Sequence, residues 1–307
     1  MTRILRLIIQ CDPEDSRRRI SMCSDHVRAD LQYLLSATYE ERIAAIYKEL
    51  WVDNNSSEAV FRMMNNIADV PARMTAPALL VVGPGGSGKT AIISQIYKHV
   101  KNSEKLLFIS MAESPEINIK KTLRSALAMA LELPPSSSAR PQSGTDIPNE
   151  MREVIKLRGV WGVVIDEFHD VLLRPKQEQR TSMSILKKLV GSEYGLKLFC
   201  FGTVIARNAL RSNEEFKRRF HEVELSDWVE SEAFRSFLFE VEESLPLKRP
   251  SNLYSEKMVR LLLFLANGRM DKTLDVIRGA ACYAIKMEVE QINEDLLKRA
   301  AMSPWGY

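Results

Sequence analysis

Short unbroken apolar runs alternate along the chain with longer stretches in which apolar residues recur every three to four positions. Unbroken runs are typical of strands buried on both faces of a parallel sheet, and the longer period is typical of helices. Four runs predict strands, and 220–225 is a candidate fifth; the four lie at 78–82, 105–111, 160–165 and 196–201.

Helical periodicity follows most of these runs and then continues alone after residue 228. Between the strands it covers 89–100, 119–133, 150–157 and 181–190, and afterwards 230–243, 255–266, 272–286 and 294–300. Alternating strands and helices predict an α/β fold with a parallel sheet between helices. The pattern therefore divides the chain into a helical N-terminal extension (1–76), an α/β core (77–228) and a small helical lid (229–307). The Pro- and Ser-rich stretch 134–148 predicts a surface loop.

Composition adds little to this picture. The 307 residues are 45% hydrophobic and 27% charged, as in ordinary globular proteins. A net charge of +3, from 43 basic and 40 acidic residues, does not by itself indicate nucleic acid. Cys11, Cys23, Cys200 and Cys282 lie far apart, which predicts reduced thiols. With no signal peptide and no apolar span of about 20 residues, the expectation is a soluble, cytoplasmic protein without a membrane partner.

The segment GPGGSGKT lies between the first predicted strand and the helix that follows it. It fits the pattern G-x-x-x-x-G-K-[ST], in which backbone amides wrap phosphates without side chains in the way. Position assigns Lys89 to the β- and γ-phosphates of ATP and Thr90 to Mg²⁺. The alternative, a plain glycine-rich loop, is disfavoured by the flanking strand and helix. The predicted nucleotide-binding residues are Gly83, Pro84, Gly85, Gly86, Ser87, Gly88, Lys89, Thr90 and Ala91.

Two acids, Asp166 and Glu167, come directly after the third predicted strand. Parallel sheets bind ligands at the carboxyl ends of their strands. Asp166 is therefore predicted to hold Mg²⁺ together with Thr90, and Glu167 to activate the water that attacks the γ-phosphate. An acidic helix cap is the alternative. His169 stays outside the predicted catalytic set.

Two further positions complete that set, which comprises Lys89, Asp166, Glu167, Thr203 and Arg219. Thr203 ends the fourth strand, where a hydroxyl can sense the γ-phosphate, although a simple turn at Gly202 explains the same residues. Arg219 belongs to a cationic cluster before residue 220 and is predicted to stabilise charge at a neighbouring subunit's nucleotide. A solvated charge group at a helix end is the alternative.

Basic residues also follow the second and third predicted strands. They are candidates for contacts with DNA phosphates, and solvated surface charge is the commoner explanation of such residues. The candidates are Lys120, Lys121, Arg174, Lys176 and Arg180.

Beyond the nucleotide motifs, longer strings carry a family resemblance. They are IDEFHDVL, the FGT-x-x-A pattern at 201–206, RRF with FHEVELSDW, and ESLPLKRPSNL at 243–253. With these strings the chain resembles the TniB/TnsC family of AAA+ transposition ATPases from about residue 78 to 300. One stretch departs from the family: a glycine-rich GxxGE-like turn is expected where this chain reads NGRMDKT, with Arg269 or Lys272 as the candidate lid sensor.

The resemblance implies an AAA+ ATPase that forms a ring or helical filament on double-stranded DNA and recruits the transposase, with hydrolysis controlling disassembly. It also implies transposase subunits and a TniQ-like targeting protein as partners, with or without an RNA-guided complex. Lys89, Thr90, Asp166, Glu167, Thr203 and Arg219 match the family's phosphate, metal, acidic, sensor and trans-arginine positions. Two alternatives remain at this point: a nucleotide-switch signalling ATPase that does not bind DNA, and a small-molecule kinase.

Overall fold

A computed structural model describes residues 26–71, 74–112, 122–134, 147–211 and 217–307. Its centre is a sheet of five strands, each paired in parallel with its neighbours in the order β2-β3-β4-β1-β5. The strands are β1 (Ala78–Val82), β2 (Leu106–Ser110), β3 (Gly162–Asp166), β4 (Lys197–Gly202) and β5 (Phe220–Glu224). The predicted α/β class is confirmed, and the candidate fifth strand forms.

The strands end level with one another at one edge of the sheet. Val82 lies opposite both Gly202 and Glu224, and Ile165 lies opposite Cys200. The segments that follow β1, β3 and β4 therefore lie side by side at the carboxyl ends of the strands. Parallel sheets bind their ligands at these ends.

Helices account for most of the remaining described residues. Those before β4 are α1 (Tyr39–Ile46), α2 (Asn55–Ala68), α3 (Lys89–His99), α4 (Leu123–Ala130), α5 (Asn149–Leu157), α6 (Phe168–Leu172) and α7 (Lys176–Val190). Those after β4 are α8 (Val204–Arg211), α9 (Glu232–Glu243), α10 (Glu256–Ala266), α11 (Met270–Lys286) and α12 (Glu294–Met302). Short 3₁₀ helices span Ala29–Ser36 and Ser103–Lys105.

The sheet is covered by helices on both faces, as β1 illustrates. Its alternate residues Ala78, Leu80 and Val82 join one apolar core, and Leu79 and Val81 join the other. The first core takes residues from α4 to α8, and the second takes residues from α2 and α3. All five residues of β1 are buried, which explains why its sequence is a continuous apolar run.

The described chain forms two compact units, and each unit draws on separate stretches of sequence. One contains Trp51–Phe237 and Tyr254–Val276, and therefore holds the whole sheet. The other contains the described residues up to Leu50, with Leu238–Leu253 and Ile277–Tyr307. The division into extension, core and lid domains at 76 and 228 stays a prediction.

Some expectations about single elements need revision. Helix α8, at residues 204–211, is not among the predicted elements; it has eight residues, of which only Ala206 and Leu210 are buried. Helix α7 begins five residues earlier than expected, directly after Pro175. Most of the expected loop at 134–148 lies outside the described residues, as do Cys11 and Cys23. Cys200 and Cys282 are buried free thiols, and burial raises the pKa of each. Among the described helices, none has the length and apolar character needed to cross a bilayer.

Candidate nucleotide site

The glycine-rich loop runs from the carboxyl end of β1 to the first turn of α3, at the edge of the sheet where β3 and β4 also end. Gly88 caps α3 with a φ of 89°, a left-handed conformation that glycine adopts without steric cost. Gly83 N donates to the carbonyl of Gly202, which joins the start of the loop to the end of β4. The amides of the first α3 turn therefore face the loop interior, as anion binding at a helix N-terminus requires.

Lys89 extends back into this loop. Its Nζ donates to the carbonyl oxygens of Gly83, at 2.9 Å, and Pro84, at 2.7 Å, and the residue is only 6% exposed. Burial lowers the pKa of Lys89, the Glu167 and Asp166 carboxylates oppose that change, and the Arg269 guanidinium adds to it. Since such effects weaken with distance, each of these three charged groups lies near the Lys89 ammonium.

The two predicted metal ligands, Thr90 and Asp166, contact each other at the carboxyl ends of the strands. Thr90 Oγ1 donates to Asp166 Oδ2 at 3.2 Å, and Glu167 N donates to Asp166 Oδ1 at 2.8 Å. Hydroxyl and carboxylate oxygens at this separation suit Mg²⁺, which binds few protein oxygens and keeps several waters. Glu167 has a φ of 51°, a conformation that costs about 1 kcal/mol or more for a residue with a Cβ.

Two hydroxyl groups in the site are buried without a hydrogen-bond partner among the described residues. They are Ser87 Oγ in the loop and Thr203 Oγ1 directly after β4. A buried polar group without a partner is costly unless a ligand or water satisfies it. Together with the glycine loop and the Thr90–Asp166 contact, these two groups fit a nucleoside triphosphate with Mg²⁺.

The start of α11 lies against the same loop. The Arg269 guanidinium donates to the carbonyl of Gly85, and Asp271 N donates to the carbonyl of Gly86 at 3.3 Å. The exposed residue Lys272 has its amide bonded to Asp271 Oδ1. Of the two candidate lid sensors, Arg269 is therefore the one that contacts the loop.

Other predicted residues lie away from this cluster or outside the described ranges. Arg219 precedes β5 at the amino end of the sheet, so it does not join the phosphate loop of its own chain. Arg174 donates Nε to the carbonyl of Asp170, while Lys176 and Arg180 are exposed on α7. Lys120 and Lys121 lie outside the described residues.

Sequence reasoning missed two contacts in the site. Asp271 had no assigned role, although its place inside the segment that departs from the family pattern was a signal. His169 lies outside the predicted catalytic set, yet its Nδ1 lies 3.1 Å from Glu167 Oε2. The two-residue spacing across the turn from β3 into α6 allows that contact.

The sheet order, the phosphate loop after β1 and the acidic pair after β3 define a P-loop protein of the AAA+ ATPase class. A family model described as bacterial TniB protein matches residues 42–230. The chain belongs to the TniB family, and the expected family is confirmed. No curated protein matches the chain.

Solved structures of similar fold agree with that class. The Aeropyrum pernix ORC2 protein in its ADPNP-ADP complexes has a TM-score of 0.58 at 17% identity, over 83% of this chain and 68% of that one. Cdc6p from Pyrobaculum aerophilum has a TM-score of 0.57 at 14% identity, over 81% and 67%. The A. pernix ORC1 protein in complex with DNA has a TM-score of 0.52 at 16% identity, over 85% and 69%. At such identities the likeness establishes the fold alone.

Proposed function

We propose that this protein is an ATP-dependent regulator of DNA transposition that oligomerises on target duplex DNA and recruits the transposase. Hydrolysis of ATP controls disassembly of the oligomer. The observation that carries the proposal is the TniB family match over residues 42–230, which includes the phosphate loop and the acidic pair. Similar folds that bind DNA, namely A. pernix ORC1 and Drosophila ORC, support it.

Each residue of the site has a distinct part in this proposal. Lys89 and the loop amides hold the phosphates, and Thr90 with Asp166 holds Mg²⁺, which neutralises phosphate charge when it is bound. Glu167 orients the attacking water, and His169 contacts the carboxylate that does so. Thr203, whose hydroxyl has no hydrogen-bond partner among the described residues, is assigned to sensing the γ-phosphate.

In the proposal, Arg219 acts between neighbouring copies of the chain. Because Arg219 lies at the opposite end of the sheet from its own phosphate loop, we assign it to the nucleotide of a neighbouring copy. A site completed by two copies makes ATP a signal for assembly into a ring or filament. The proposed partners are transposase subunits and a TniQ-like targeting protein, with or without an RNA-guided complex, in a DNA-associated cytoplasmic setting.

Duplex DNA binding with and without a non-hydrolysable ATP analogue tests the proposal, measured by fluorescence anisotropy at about 0.1 M salt and by electron microscopy. We expect ordered oligomers on DNA only when the analogue is present. Reversing charge at Lys120 and Lys121 to Glu should abolish DNA binding and leave nucleotide binding intact. If nucleotide binds but never stimulates DNA binding, the proposal is wrong and a DNA-independent nucleotide switch takes its place.

A further inference from the structure

The first turn of α11 covers the glycine-rich loop through backbone and side chain together. Asp271 N bonds to the carbonyl of Gly86, and the Arg269 guanidinium bonds to the carbonyl of Gly85. A Cβ placed on Gly88 would lie 3.3 Å from the sulfur of Met270. Three consecutive residues, Arg269 and the first two residues of α11, therefore contact three glycines of the loop.

The carboxylate of Asp271 lies against Gly86 of the loop. A Cβ placed on Gly86 would overlap Asp271 Oδ2 and lie 2.6 Å from Oδ1, so both oxygens face this glycine. Gly86 has a φ of 73°, and its missing side chain is what allows this approach. A carboxylate shares negative charge and acceptor oxygens with a phosphate, the ligand that this loop type binds.

Arg269 is held by acidic groups at the same place. Its Nη2 lies 3.3 Å from Asp271 Oδ2, and its Nε lies 3.9 Å from Asp227 Oδ1. A guanidinium is the group best suited to bind phosphate oxygens in pairs. While Asp271 holds one of its nitrogens, that capacity is partly used within the protein.

We propose that Asp271 is a further residue of the nucleotide site, a built-in competitor whose carboxylate leaves Gly86 when phosphates bind and thereby frees Arg269 to contact them. The inference rests on the proposed nucleotide binding. Binding of the phosphates includes the cost of displacing the carboxylate, so the wild-type protein binds nucleotide more weakly than a chain without this charge. The departure from the family's glycine-rich turn thus becomes a device that sets the nucleotide affinity.

A purely structural role makes a different prediction. An acid in the first turn of a helix stabilises that helix through its dipole. If Asp271 did only this, Asp271→Asn would lower stability and leave nucleotide affinity unchanged.

The test is a titration of fluorescent ADP and fluorescent ATPγS by anisotropy, without DNA, on the full chain. We expect Asp271→Asn to lower the Kd for both nucleotides by about tenfold, and the gain to shrink as salt is raised. Asp275→Asn is the matched control, since Asp275 is exposed one turn along the same helix. Its Kd should equal that of wild type. Asp271→Ser, which also suits a helix start, repeats the test if the Asn variant unfolds.

The outcomes of this titration distinguish failure of the inference from failure of the proposed function. An unchanged or higher Kd in a folded Asp271 variant, or an equal gain in Asp275→Asn, overturns the inference alone. A tenfold gain in a protein that never assembles on DNA supports the inference and overturns the proposed function. Absence of binding in both wild type and variants overturns both.

Discussion

Glu167 shows how the fold aims a single side chain at the nucleotide site. The residue lies between the last residue of β3 and the first of α6, and its positive φ turns the chain sharply at this point. Asp166 Oδ1 accepts the Glu167 amide, and His169 Nδ1 lies beside the carboxylate. Contacts to both the backbone and the side chain of Glu167 thus hold the strained turn in place. Strained backbone is often found at functional sites, where surrounding contacts maintain it.

Replacing Glu167 by Gln should separate nucleotide binding from hydrolysis. Gln keeps the size of the side chain but is no longer a base, while Lys89, Thr90 and Asp166 remain. We expect ATP affinity within about twofold of wild type, steady-state turnover lower by about a hundredfold or more, and oligomers that persist on DNA. Phosphate release and anisotropy measure these quantities, and normal turnover would remove Glu167 from its assigned role.

The chemistry of the main site residues was readable from sequence, and their neighbours were not. Lys89, Thr90 and Asp166 belong to short motifs whose spacing follows from a strand, a loop and a helix, and the structure brings them together. Asp271 lies 185 positions from Gly86 along the chain, and no local pattern indicates that the two meet. Their contact depends on how α10 and α11 return to the sheet.

Helix α2 shows how local signals and packing combine at the scale of an element. Asn54 caps it: Oδ1 accepts the amides of Ser56 and Ser57, and Ser57 Oγ bonds back to the Asn54 backbone. Four apolar residues on one face, Val60, Phe61, Met64 and Ile67, then pack into the core that also contains Leu79 of β1. The cap sets where the helix begins, and the apolar face sets which side meets the sheet.

Asn54→Ala should weaken this element measurably. The change leaves two amides of the first turn without their acceptor, and caps of this kind contribute about 1 kcal/mol. We expect the free energy of unfolding to fall by about 1 kcal/mol, measured by urea denaturation, with faster amide hydrogen exchange in the first turn of α2. Ser56→Ala is the control because that side chain is exposed, and an equal loss there would contradict the capping role.

Elements differ in how far sequence predicts them. Strand β1 is recognised easily because all five of its residues are apolar and buried. Edge strand β5 is mostly exposed, and its Glu222 and Glu224 pair with Arg211 and Arg207 of α8. Those ion pairs join two elements that bury few of their own residues, and a contact between separate elements is not visible in a local pattern.

At the scale of the whole chain, the unit without the sheet contains buried charged side chains that join distant parts of the sequence. Arg42 on α1 donates to the carbonyl of Pro246 at 2.6 Å and, through Nη1, to Glu290 Oε1 at 2.8 Å. The Arg42 and Glu290 side chains are 5% and 13% exposed. Glu242 is buried as well and accepts the amides of Ser251 and Leu253. These contacts explain why the string ESLPLKRPSNL mixes apolar, charged and proline residues.

Glu290 gives this unit a dependence on pH. Burial raises the pKa of Glu290, but the hydrogen bond and charge of Arg42 outweigh it, so the pKa lies below its ordinary value. A lowered folded pKa stabilises the protein above the unfolded pKa of about 4.3, and the contribution is lost as pH falls through the folded pKa.

Glu290→Gln should therefore destabilise the protein at neutral pH and less so in acid. At pH 7 we expect a loss of about 2 kcal/mol, since Arg42 keeps a hydrogen-bond acceptor but loses its counter-charge. The difference from wild type should narrow below the ordinary Glu pKa, as followed by thermal unfolding across pH. Glu288→Gln, an exposed neighbour, is the control. A difference that stayed constant in acid would contradict the ion-pair explanation.

The sequence by itself determined the strands and most helices of the sheet-bearing core, the phosphate loop and the acidic pair. Each of these depends on residues close together in the chain, through apolar period, glycine spacing and a strand end. Only the tertiary structure decided that Arg269 rather than Lys272 contacts the loop, that Asp271 covers Gly86, and that Arg42 meets Glu290. Those contacts join residues about 185 to 250 positions apart, and they arise from the return of distant helices, which no local pattern encodes.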